Sequence, residues 1–160
     1  MWCPKNHADR QTYGLRLRDS VEELFAHYKE CPYVIMLGDY NDEPFAQSLS
    51  DQVLASRDVE LVRRKRTLLF NPFWRHLCSQ PGTHSSAGSY FHAGGTLTKW
   101  RTFDQIIYSQ AFLTSSRWAY REDSGLVYGP APLMELITHA EFKFDHLPVY
   151  GRVKRNTERG

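Results

Sequence analysis

The sequence predicts a mixed α/β fold, a sheet with helices packed against it. Helical and extended patterns alternate early in the chain, and extended patterns dominate later. The 160 residues are 41% hydrophobic and 24% charged, enough for one packed core and too apolar for a disordered chain. A net charge of +2 makes no strong electrostatic case for a nucleic-acid partner. No apolar run approaches the length of a membrane span, and no signal peptide opens at Met1. Cys3, Cys31 and Cys78 are odd in number and widely spaced, without a CxxC. A disulfide framework is not expected, and a reducing, cytoplasmic setting is.

The elements follow in order. From Leu15 to Lys29, Val21, Leu24, Phe25 and Tyr28 recur at helical spacing among charged residues, and Pro32 stops the helix. Tyr33 to Leu37 is a short continuous apolar run, suited to a strand buried on both faces. Phe45, Leu49, Val53 and Leu54 predict a second helix after Pro44, and Val59 to Val62 a short strand. RRKR, Arg63 to Arg66, reads as a solvated basic face, with a phosphate-tracking patch as the other reading. The aromatic stretch LLFNPFWRHL predicts a turn of helix. Gly82 to Trp100 is rich in Gly, Ser and Thr, with a tight turn at Gly94-Gly95. Strands are expected at Thr102 to Ser109, Arg117 to Tyr120 and His146 to Val153, with a loop from Gly125 to Pro132. The chain then divides into a domain over 1–153 and a polar tail over 154–160.

The chemistry gathers in three stretches. YVIMLGDYNDEP runs an apolar strand into a knot of acids, and open α/β sheets place ligands at such strand ends. Asp39 and Asn41 alternate, so an extended chain points them the same way. Asp42 stands at a helix start and reads as a cap. FDQIIYS carries an acid, Asp104, inside an apolar strand, and FDHLPV sets Asp145 and His146 side by side. A lone strand Asp or a lone His is more often structural. An adjacent Asp–His pair raises the case for metal or acid/base work. Cys78, His76, His84 and His92 match no standard zinc spacing.

In this order, GDYNDEP, FDQIIYS and FDHLPV resemble the patterns GDFN-x-x-P, D-x-I-x-x-S and SDH-x-P-V. These mark the carboxyl-terminal half of the endonuclease/exonuclease/phosphatase, or DNase I-like, superfamily. The resemblance runs from Trp2 to about Val153. It implies half of a four-layer α/β sandwich, one mixed sheet with helices mainly on one face. It also implies a metal-dependent phosphoesterase that hydrolyses phosphodiesters or phosphomonoesters. On that likeness Asp39 orients or activates the attacking water, Asn41 donates to a phosphate oxygen, and Asp104 holds and polarises His146. His146 does general acid/base or phosphate-stabilising work. Asp145, with Asp39, lies beside Mg²⁺ or Mn²⁺, for which hard oxygen ligands are suited. Which group is the base stays open. Nucleic acid, a sugar phosphate and a phospholipid head group are all substrate candidates.

The chain also departs from the family pattern. The early Asn and the metal-ligand Glu of a Q-E type motif are absent. MWCPKNHADR resembles H-W-P-S-x-R, with Met1 where a phosphate-contacting His is usual, and His7 is out of register. Phe144 replaces the usual Ser before Asp145. The stretch GTLTKWRTFDQII resembles bacterial members of the family and is unlike the abasic-site endonucleases. The expectation is a chain that begins in mid-domain and is weak or inactive alone. The alternative is a non-catalytic remnant or interaction module that keeps the fold. A half-sandwich would expose Val34, Met36, Ile106 and Tyr108 on one sheet face, so a homodimer or a complex through that face is expected.

Overall fold

The computed structural model describes residues 6–78, 87–115, 117–139 and 144–156. The fold is mixed α/β, built on a four-stranded sheet in the order β1-β6-β3-β2. Its strands are β1 (Ile35–Asp39), β2 (Ala55–Ser56), β3 (Leu69–Phe70) and β6 (Asp104–Ser109). β6 is antiparallel to both β1 and β3, whereas β2 and β3 are parallel, so the sheet is mixed. Three two-stranded ribbons accompany it among the described residues. They pair β4 (Tyr90–Phe91) with β5 (Trp100–Arg101), β7 (Trp118–Tyr120) with β10 (Val153–Arg155), and β8 (Leu126–Val127) with β9 (Val149–Tyr150).

Strand alternation divides the core in two. Ile107 and Leu69 face a cluster with Val21, Phe25, Tyr40, Leu49 and Val53. Helix α1 (His7–His27) supplies the first two of these, so the helical mass lies mainly on this face. Ile106, Tyr108 and Phe70 face the other way, against Val62, Phe73 and Phe112. Short helices α2 (Val59–Arg64) and α3 (Ala111–Thr114) and the ribbon residues Trp118, Tyr120, Val127 and Val149 close that side. A further helix, α4, spans Ala131–Thr138.

This second layer corrects the expected open face. Ile106 and Tyr108 are buried, and Val34 and Met36 pack against the α1 cluster. In the four-stranded sheet, Ile35 and Leu37 of the edge strand β1 do stand open, Leu37 at 71% exposure. β1 is therefore not buried on both faces. Gly151 lets the chain cross closely between β9 and β10, because a Cβ there would collide with the Tyr108 hydroxyl.

Other elements also differ from expectation. α1 starts earlier than the apolar spacing suggests, at an N-cap where the Asn6 side chain accepts the Asp9 N–H at 2.9 Å. Leu24 and Tyr28 are exposed rather than buried. After Pro44 the chain forms a five-residue π-helix, Ser48–Gln52, and Phe45 stays exposed. Val59–Arg64 is helical, not extended, because Asp58 caps it by accepting the Leu61 N–H at 2.9 Å. LLFNPFWRHL divides into β3 and a 3₁₀ helix, Pro72–Leu77. A turn closes at Gly94-Gly95, with the Gly95 N–H donating to the His92 carbonyl at 3.0 Å. The expected loop at Gly125 to Pro132 contains β8 and the start of α4. The last strand breaks into β9 and β10, and β10 continues to Arg155, so Lys154 and Arg155 pair in a ribbon rather than belonging to a tail. Cys3, His84 and the segments 1–5 and 157–160 lie outside the described residues.

RRKR is not one solvated face. Arg66 donates to the carbonyls of Phe25, Tyr28, Lys29 and Glu30 at 2.7–3.0 Å, occupying acceptors left unpaired at the end of α1. Arg63 instead pairs with Glu60 at 2.6 Å. Replacing Arg66 with Ala is expected to cost about 1.5–3 kcal/mol, the range for hydrogen bonds to a charged group. Urea denaturation measures it. Arg66→Lys should recover only part of the loss, since an ammonium cannot span the same acceptors in a planar fork.

Candidate active site

The register of β1 and β6 sets the site. Asp39 stands directly opposite Asp104 in the antiparallel ladder, with both side chains on one face of the sheet. Like charges facing across a ladder are destabilising, so each carboxylate needs its own partner. Asp104 has His146, whose Nδ1 lies 2.7 Å from its Oδ2. Asp39 accepts the Asn41 backbone N–H at 2.8 Å and the Asn41 side-chain amide at 3.1 Å. Two unusual backbone conformations flank Asp39. Gly38 has φ +150°, and Asn41 has φ +52°, left-handed and tolerated by Asn because its side chain bonds locally. Asn41 thus lies in a turn and reaches Asp39 by folding back, not by strand alternation.

His146 is placed from the far side of the sequence. It forms an antiparallel bridge with Tyr90. The Phe91 N–H donates to the Asp145 carbonyl at 2.8 Å, and the Leu147 N–H to the Ser89 carbonyl at 2.6 Å. The segment carrying Asp145 and His146 is therefore zipped to β4. Ser89 also accepts the Asp104 N–H on its side-chain oxygen at 2.9 Å, joining β4 to β6 at the dyad. The Asp145 carboxylate is half exposed and lies 3.8 Å from His146 Nε2, too far for a hydrogen bond.

Tyr90 and Ser89 are parts of this site that sequence reasoning passed over. The Tyr90 ring packs on His146 with centroids 4.7 Å apart and stacks on Phe103 at 5.2 Å. Burial, and then the Asp145 and Asp39 carboxylates, push its phenol above the ordinary value, so it stays a neutral donor. The only available signal was SYF, two adjacent aromatic residues inside a stretch read for its glycines.

Asp42 does not cap a helix. Its carboxylate pairs with Arg10 at 3.2 Å and accepts the Ser48 hydroxyl at 2.6 Å. Glu43 accepts the Thr102 N–H at 3.0 Å. Burial raises its pKa, opposed by that bond and by Arg101. Phe144 is exposed. His76 bonds the Gly125 carbonyl at 2.8 Å, and burial holds its imidazole below the ordinary value. Among the described residues no three His, Cys, Asp or Glu side chains gather as a metal cage.

A carboxylate–imidazole dyad therefore stands beside a carboxylate-bearing turn at one end of the sheet. The Endonuclease/Exonuclease/phosphatase family matches residues 4–153, and the chain belongs to that family. The family acts on phosphate-containing substrates such as nucleic acids or phospholipids and suggests hydrolase activity of the phosphoesterase or nuclease type. No curated protein and no solved structure matches the chain. Among the described residues no helix is long and apolar enough to cross a membrane.

The bond to Asp104 raises the His146 pKa, against the opposing effect of burial, with Asp104, Asp39 and Asp145 adding their charge. The fold thus favours the imidazolium. Its contribution to stability is fully present below the ordinary histidine value and fades as pH rises through the raised one. NMR titration should place His146 above an ordinary histidine, and Asp104→Asn should bring it down.

Proposed function

We propose that the chain carries a metal-dependent phosphoesterase site. The observation that supports this most is the Asp104–His146 bond of 2.7 Å standing across the ladder from the Asp39–Asn41 turn. Asp104 accepts the Nδ1 proton, which fixes the tautomer and leaves Nε2 to face a substrate. The raised pKa keeps a proton on Nε2 over more of the neutral range, suited to a phosphate oxygen that gains charge in the transition state. Asn41 has a second amide N–H beyond the one given to Asp39, and it donates to the phosphate. The Asp39 carboxylate orients the attacking water.

Asp39 and Asp145 would be the oxygen donors for Mg²⁺ or Mn²⁺. Two carboxylates suit Mg²⁺, which commonly keeps several waters and shares the substrate's phosphate oxygens instead of entering an all-protein cage. Such a cation would neutralise charge on the phosphate. Phosphate carried by nucleic acid, a sugar or a phospholipid head group fits these donors. A second reading, a non-catalytic module that keeps the fold, is favoured by the lack of a three-ligand cluster among the described residues.

Hydrolysis of bis-p-nitrophenyl phosphate separates the two. Slow turnover that requires Mg²⁺ or Mn²⁺ is expected, with His146→Ala and Asp39→Asn each lowering it by about 10²-fold or more, the scale of a lost acid/base group. No turnover at millimolar cation would favour the non-catalytic module.

A further inference from the structure

Gln105 is a fully buried polar side chain at the second position of the largely apolar strand β6, and the roles above make no use of it. It neighbours Asp104 in the chain but points to the opposite face. Asp104 meets His146 on one side of the sheet, while Gln105 reaches the site turn from beneath. Its Nε2 donates to the Asp42 carbonyl at 2.8 Å and to the Thr102 carbonyl at 2.8 Å. Its Oε1 accepts the Asn71 side-chain amide at 2.7 Å. Asn71 is also fully buried and accepts the Phe73 N–H at 3.0 Å, so the brace is anchored in the 3₁₀ helix.

The acceptor at the other end matters most. The Asp42 carbonyl closes the turn in which Asn41 holds φ +52°. Two other bonds tie this loop to the approach of β6. The Tyr40 N–H donates to the Phe103 carbonyl at 2.9 Å, and Glu43 accepts the Thr102 N–H at 3.0 Å. Both grip residues that flank the Asn41–Asp42 pair. Gln105 holds the carbonyl of that pair itself.

We infer that Gln105, braced by Asn71, is a positioning residue that locks the Asp39–Asp42 turn onto β6 and so fixes the Asn41 amide relative to the His146 imidazole. One side chain thereby couples the turn to the strand that bears the dyad. A leucine of similar length would leave the Asp42 and Thr102 carbonyls and the Asn71 amide unpaired in the interior. The inference deepens the phosphoesterase reading and rests on it only for its effect on turnover.

The test compares Gln105→Leu with the unsubstituted chain in two measurements. In amide hydrogen exchange, the Tyr40 and Asn41 amides are expected to exchange at least tenfold faster, with the Ile107 amide and the His146 titration unchanged. In bis-p-nitrophenyl phosphate hydrolysis, kcat should fall at least tenfold with the pH profile kept. Unchanged exchange at Tyr40 and Asn41 overturns the inference. So does faster exchange spread evenly over β3 and β6, which marks a merely structural role. If the unsubstituted chain turns over nothing, the phosphoesterase reading fails by itself, and exchange still decides the positioning role. If Gln105→Leu does not fold, Asn71→Ser is read in the same way, with a smaller acceleration confined to the turn expected.

Discussion

Two carboxylates facing each other across one rung of a ladder are the constraint on which the site depends. Asp39 and Asp104 meet there because β1 and β6 pair in one register and no other. A one-residue slip would send one of them to the α1 face, among Val21, Phe25 and Ile107. The like charges persist because each is answered separately. Asn41 folds back on Asp39, and His146 arrives from more than 40 positions away to meet Asp104.

The scaffold keeps these partners in reach by small, local means. The ribbon of β4 zips the Asp145–His146 segment in place through backbone bonds, and Ser89 ties that ribbon to Asp104. Gln105 and Asn71 tie the turn after β1 to the same strand from the other side. Farther away, Arg66 gathers the free carbonyls at the end of α1, and that helix covers the face opposite the dyad. The same basic residue that looks like solvated surface in the sequence is a structural fastening.

Several errors of reading share one cause. Ile106 and Tyr108 alternate as a face-exposed pair would, and no local pattern announces that β7 to β10 fold back over them. Val59 to Val62 has the composition of a strand, but an Asp one position earlier caps it into a helix. Asp42 has the position of a cap and is claimed instead by Arg10 and Ser48, which lie elsewhere in the fold. In each case a partner remote in sequence or a single cap outweighed the local propensity.

The sequence by itself determined the fold class and the family. Hydrophobic period and acids placed after apolar runs are local properties, written residue by residue. The tertiary structure decided which of those residues meet, and it added Tyr90, Ser89 and Gln105 to the neighbourhood. It also decided that Leu37, rather than Ile106 or Tyr108, stands open. The physical reason is that burial and hydrogen-bond partnership belong to pairs of residues. A pair such as Tyr90 and His146 is joined only when strands distant in sequence come into register.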